Sequence, residues 1–219
     1  MGEKRQARQG ADVLMQEEPL RFQTRKQVGL LGGNFNPVHL AHLVMADQVQ
    51  NQLGLDKVYL MPTYLPPHVD EKKTISSEHR LAMLELAVAD NPCLDIEPIE
   101  LIRKGKSYTY DTMKALKEAN PDTDYYFIIG GDMVEYLPKW HRIDALLHLV
   151  QFVGIRRPNY PTESTYPIIW VDVPQMAISS TLIRQKVKSG CSIRYLLPEN
   201  VINYIQEKGL YQDELDNKL

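Results

Sequence analysis

The chain has 219 residues, with 25 Lys and Arg against 28 Asp and Glu, a formal net charge of −3, 43% hydrophobic residues and two cysteines. That size suits one domain with a substantial core, and the slightly acidic balance excludes a broad basic surface for nucleic acid, so any anionic ligand has to be met by a local site. Cys93 and Cys191 lie far apart and neither belongs to a CxxC pair, which excludes a disulfide framework or a zinc site and fits a reducing cytoplasm.

Residues 1–26 mix Lys4, Arg5, Arg8, Arg21, Arg25 and Lys26 with Glu3, Asp12, Glu17 and Glu18. They lack an apolar core for a signal peptide, and their acids argue against a transit peptide, so a flexible N-terminal extension is expected. No stretch approaches the roughly 18 apolar residues of a membrane span, and no membrane partner is expected. A single domain is predicted over 27–212, followed by a short tail at 213–219.

From Lys26 onward, short apolar runs alternate with longer amphipathic ones, the pattern of a mainly parallel sheet covered by helices. Strands are predicted over 28–31, 57–61, 94–98, 125–129, 151–155 and 168–173, and helices over 39–53, 78–90, 110–119, 143–149, 180–188 and 199–206. The run Tyr125-Tyr126-Phe127-Ile128-Ile129 has no polar face, which predicts a central strand buried on both sides. In such a sheet, ligands sit outside the carboxyl ends of the strands. The loops at 32–38, 62–68, 130–139 and 156–161 are therefore where function is expected.

The first loop reads Gly32-Gly33-Asn34-Phe35-Asn36-Pro37-Val38-His39-Leu40-Ala41-His42. Adjacent glycines permit a sharp turn and close approach of a ligand to the backbone. Pro37 suits the first turn of a helix, since its missing N–H would lack an intrahelical partner. His39 and His42 then share one face of that turn, where free N–H groups and the helix dipole favour a phosphate. The plain alternative, a glycine turn before a helix with two surface histidines, accounts for each histidine alone but poorly for the pair. Neither GxGxxG nor GxxxxGK[ST] occurs, so a dehydrogenase or a P-loop enzyme is not supported.

A second cluster, Ile178-Ser179-Ser180-Thr181-Leu182-Ile183-Arg184, opens the helix predicted at 180–188. Ser179 is a candidate N-cap, with Ile178 and Ile183 as its hydrophobic staple. Arg184 lies four residues after Ser180 and three after Thr181, so its guanidinium and two hydroxyls can converge on one anion.

The pairing of GGNFNPVHLAH with ISSTLIR resembles the nucleotidylyltransferase superfamily, whose signatures are a GGxFxPxHxGH loop and an ISSTxIR helix start. The resemblance runs from about Gln27 to Tyr211. It narrows to the nicotinate-mononucleotide adenylyltransferases through Pro66-Pro67-His68, Ser107-Tyr108-Thr109-Tyr110-Asp111-Thr112, Gly130-Gly131-Asp132 and Trp140-His141. It implies a Rossmann-like, doubly wound nucleotidylyltransferase fold and transfer of the adenylyl group of ATP to nicotinate mononucleotide. The products would be nicotinic acid adenine dinucleotide and pyrophosphate.

The resemblance also assigns roles. His39, His42 and Arg184 would be catalytic. Gly32, Gly33, Asn34, Phe35, Asn36, Asp132, Arg157, Ile178, Ser179, Ser180 and Thr181 would hold ATP, with Arg157 taken from an Arg156-Arg157-Pro158 segment. Thr109, Tyr110, Trp140, His141, Lys72 and Lys73 would hold the mononucleotide, its ring stacked on Trp140 and its carboxylate on backbone amides near Thr109 and Trp140. Plainer roles remain open: Trp140 packing at a loop edge, Tyr108 and Tyr110 covering the sheet, Thr109 capping a helix.

Several positions depart from the family pattern. Asn34 and Asn36 stand where Thr and Asp are frequent, which removes a carboxylate that could orient a metal; Mg²⁺ is expected to arrive with ATP, bound through phosphate and water, with no protein ligand. Ala41 replaces a Gly, Val69 a Lys, and His141 a Tyr. A pantetheine-phosphate adenylyltransferase, a noncatalytic nucleotide sensor and a ligand-free interaction module are the rival readings. The first has no use for Trp140 and SYTYDT, and the second should have lost a phosphate-contacting group. The sequence leaves a homodimer open, as it does closure of the loop at 62–75 over substrate.

Overall fold

The computed structural model describes residues 25–65, 74–156 and 162–212. The expected extension over 1–26, apart from Arg25 and Lys26, and the tail at 213–219 lie outside the described residues. So do Pro66, Pro67, His68, Val69, Lys72, Lys73, Arg157 and Pro158, and with them most of the loop expected to close.

Six strands, β1 (Lys26–Gly33), β2 (Lys57–Pro62), β3 (Leu94–Ile96), β4 (Thr123–Gly130), β5 (Val150–Ile155) and β6 (Ile168–Val171), form one sheet in the order β3-β2-β1-β4-β5-β6. Every pairing is parallel. The chain lays β2 and β3 outward on one side of β1, then returns to place β4 on the other. Strand order reverses between β1 and β4, and their register, Leu31 opposite Ile128, sets Gly32-Gly33 beside the carboxyl end of β4. This is the crevice where an open parallel sheet binds ligands.

Around the sheet lie α1 (Leu40–Leu53), α2 (Ser77–Val88), α3 (Ile99–Arg103), α4 (Thr109–Ala119), α5 (Gly131–Val134), α6 (Ile143–Leu146), α7 (Ser180–Lys188) and α8 (Glu199–Glu207). Successive strand side chains alternate faces, and the core divides accordingly. Tyr125, Phe127 and Ile129 of β4 join Val28, Leu30 and Phe152 under α4, α5 and α6. Ile128 faces the other way, with Leu31, Val153 and Ile155, onto residues of α1, α2, α7 and α8. Helices on both faces explain why β4 shows no polar face.

Three predicted elements change. The helix at 143–149 contracts to Ile143–Leu146, and the strand at 94–98 ends at Ile96, because the Glu97 carboxylate accepts from the Ile99 N–H and starts α3. Pro37 does not occupy a helical turn. It follows a cis peptide bond in a turn, and α1 begins three residues later with His39 as an extended N-cap. There the His39 N–H donates to His42 Nδ1 at 3.3 Å, which supplies the cap that a proline-led start would not have. Among the described residues, no helix is long and apolar enough to cross a membrane.

Candidate active site

The glycine loop leaves β1 through Gly33, where an added Cβ would sit 3.0–3.2 Å from the Phe35 ring. Phe35 takes φ +47°, a left-handed conformation that costs a non-glycine residue about 1 kcal/mol or more. Its ring is 1% exposed and meets the His42 ring edge-on at 4.9 Å. Burial of that ring offsets the strain.

His39 and His42 stack with centroids 3.7 Å apart and planes 20° apart. His39 is buried, and desolvation lowers its pKa from 6.5 to about 4, so it is neutral at physiological pH. Because His42 Nδ1 accepts from the His39 backbone, its proton lies on Nε2, and the ring lines the central cavity as a donor. The stack thus sets an uncharged His39 against the His42 ring.

The first-turn amides of α1 are mostly committed. Leu40 donates to Leu196 O at 3.0 Å and His42 to His39 O at 2.9 Å, which leaves Ala41. At α7, Ser179 caps as expected, its Oγ accepting from Leu182 N at 3.2 Å. The amides of Ser180 and Thr181 have no acceptor among the described residues, so the stronger backbone anion site is at α7. Ile178 and Ile183 both pack in the core beneath it, as a staple requires.

The two signature segments are also tied to each other. Ser180 Oγ donates to Pro37 O at 2.8 Å, and Arg184 Nη1 donates to Asn36 O at 2.7 Å while Nη2 reaches Thr181 Oγ1 at 3.1 Å. Arg184 thus braces the glycine loop with one arm. The Asn36 side chain is 3% exposed and accepts from Tyr211 OH at 2.8 Å, so its oxygen is turned into the protein. Among the described residues, no three His, Cys, Asp or Glu side chains gather as a metal site.

A cavity of about 440 Å³ opens at the switch point. It is lined by Gly32, Gly33, Asn34 and His42 from the glycine loop and α1, and by Thr109, Trp140 and His141 from the far side. The Trp140 ring meets Phe127 and Phe152 edge-on, each at 5.8 Å, and forms part of the cavity wall. His141 lies 4.6 Å from the Tyr108 ring. Trp140 N is already bonded to Leu137 O at 2.9 Å, so the neighbouring His141 amide and those of Thr109 and Tyr110 at the start of α4 are the ones open to a carboxylate.

Tyr110 does not line the cavity; the Arg142 guanidinium lies 4.2 Å over its ring. Asp132 falls in the first turn of α5, and neither it nor Ile178, Ser179, Ser180, Thr181 and Arg184 lines this cavity. The α7 group is joined to the cavity through the glycine loop.

Two buried residues escaped the sequence reading. Arg80, 2% exposed, donates from Nη1 to Asn34 O, Asn34 Oδ1 and Thr63 O, fastening the loops after β1 and β2 together. Glu100, 3% exposed, forms part of the cavity wall. A charged side chain inside an apolar helix is a weak signal of such roles, and neither residue sits in a signature segment.

The chain belongs to the cytidylyltransferase-like family, whose model matches residues 30–186. It is 99% identical over all 219 residues to an Enterococcus faecalis protein of the same length named "Probable nicotinate-nucleotide adenylyltransferase". A Streptococcus mutans protein of the same name is 62% identical over 90% of this chain and 93% of its own. Within the family, then, this is a nicotinate-nucleotide adenylyltransferase chain. The fold is shared with a Plasmodium falciparum nicotinic acid mononucleotide adenylyltransferase complexed with NaAD, at TM-score 0.71 and 19% identity, over 85% of this chain and 98% of that one.

Proposed function

We infer that this enzyme transfers the adenylyl group of ATP to nicotinate mononucleotide, forming nicotinic acid adenine dinucleotide and pyrophosphate, a step in pyridine-nucleotide synthesis. One observation carries the reading: a single cavity joins the glycine loop and His42 to the Trp140, His141 and Thr109 wall, spanning a phosphate end and an aromatic end.

A 5′-phosphate oxygen of the mononucleotide attacks the α-phosphorus of ATP. The new P–O bond forms as the α–β bridging bond breaks, and pyrophosphate departs with that bonding pair. The attacking phosphate has a second pKa of about 6 and is largely dianionic at neutral pH, so no general base is needed. Catalysis reduces to in-line positioning and to charge stabilisation on the transferring group.

His42 donates from Nε2 to a phosphate oxygen, and neutral His39 holds it by stacking. The open amides of Ser180 and Thr181, the Thr181 hydroxyl and the free edge of Arg184 hold the triphosphate. Gly32 and Gly33 let it lie against the backbone, while Asn34, Phe35 and Asn36 shape that backbone. Trp140 stacks on the pyridine ring, and the α4 amides meet its carboxylate. Magnesium enters on this reading as the ATP complex, carried by phosphate and water. Its compartment is the cytoplasm, where free thiols such as Cys93 and Cys191 persist.

Pyrophosphate release is measured with ATP and, in turn, nicotinate mononucleotide, its amide analogue and 4′-phosphopantetheine. Turnover is expected with the acid above the amide and none with the pantetheine substrate. Release with phosphopantetheine alone would replace this function by the rival adenylyltransferase.

A further inference from the structure

Glu100 is a buried carboxyl in the wall of the substrate cavity, and the steps above give it no role. It stands on α3, a five-residue helix between β3 and the turn that opens α4. Thr112 Oγ1 of α4 donates to Glu100 Oε1 at 2.9 Å and lies 3.3 Å from Tyr108 O. Arg103 Nη2 donates to the same Thr112 oxygen at 2.8 Å, so the threonine proton is directed to Glu100 or to the Tyr108 carbonyl.

Burial pushes the Glu100 pKa above the usual carboxylate range, and the Thr112 hydrogen bond opposes that effect. Ser107 Oγ is itself buried and has no hydrogen-bond partner among the described residues. The Ser107 N–H meanwhile donates to Leu65 O at 3.0 Å. The Thr112 bond thus joins α3, which carries Glu100, to the first turn of α4. Thr63, Ser107, Tyr108 and Thr109 all line the cavity with it.

A short helix has little stability of its own, and Tyr108, the N-cap of α4, makes no side-chain cap. Something other than local helix chemistry has to fix where the Thr109 amide and the Tyr108 ring face the cavity. We propose that Glu100 is the positioning residue of the pyridine-ring subsite, acting through Thr112 to hold the turn at 107–109 against Trp140 and His141. This rests on the mononucleotide reading above.

The test is steady-state kinetics of the full chain bearing Glu100→Ala, Glu100→Gln or Thr112→Val, with the KM for each substrate measured separately. Loss of a buried acceptor leaves donors unpaired, an effect worth about tenfold in binding. Glu100→Ala is expected to raise the KM for nicotinate mononucleotide about tenfold, with the KM for ATP and kcat at saturation close to wild type. Glu100→Gln keeps an acceptor for Thr112 and should restore most of the affinity. Thr112→Val should follow Glu100→Ala in direction and decides the matter if that variant does not fold. Equal change in both KM values, or a lower melting temperature with both KM values unaltered, would overturn the proposal. Absence of turnover by the wild type with nicotinate mononucleotide would instead overturn the function on which it rests.

Discussion

At the start of α1 the backbone is largely spent: Leu40 and His42 donate within the protein, and the His42 ring, stacked on buried His39, is what lines the cavity. At the start of α7 the reverse holds, with Ser180 and Thr181 amides open and the Ser179 side chain used for capping. Two helix N-termini that look equivalent in sequence are therefore a side-chain site and a backbone site. A side-chain site can be removed by one substitution, whereas a backbone site can be weakened only by disturbing the helix start.

The largest test of that contrast is His42→Ala. Removing one preorganised donor from a developing charge costs about 10²–10³-fold in kcat, with little change in mononucleotide affinity. Single-turnover rates beside equilibrium binding would check it, and full turnover would remove His42 from the mechanism. Next comes His39 and acid. Its folded pKa of about 4 lies below the unfolded 6.5, so between these pH values the unfolded chain binds a proton that the native state refuses. Stability is then full above about pH 7 and falls by about 3 kcal/mol as pH drops through that window. Denaturant unfolding at pH 7.5 and 4.5 would show it, and His39→Asn should flatten the slope.

Trp140→Ala probes the opposite end of the cavity and should raise the KM for the mononucleotide about tenfold with kcat nearly intact. An unchanged KM would end the stacking role. The smallest effect belongs to Ser179→Ala, which removes a cap worth about 1 kcal/mol and should lower the melting temperature by a few degrees. Because the α7 amides themselves remain, activity should fall far less than in His42→Ala; a comparable loss would erase the distinction between the two sites.

What the sequence could and could not show follows from range. Gly32-Gly33, His39 and His42, and the Ser179 to Arg184 cluster are legible because their chemistry depends on spacings within one turn. The strands were legible because β4 and its neighbours are apolar on both faces. Arg80 and Glu100 were not, since each acts through space: Arg80 on a loop 46 residues earlier, Glu100 on a threonine 12 residues later. Helices of four or five residues, such as α3 and α5, are too short for a period to register. The commitment of the Leu40 amide to Leu196 is a tertiary bond that no local pattern announces.

The bonds from Ser180, Arg184 and Tyr211 to the glycine loop span 143, 148 and 175 residues. In a chain synthesised from its amino end, residues 34–37 leave the ribosome long before any of these partners exists. Most of the sheet can be laid down meanwhile, from contacts made strand by strand. The glycine loop acquires its last restraint when Tyr211 arrives, so a prematurely terminated product can carry the scaffold and still lack an anchored glycine loop.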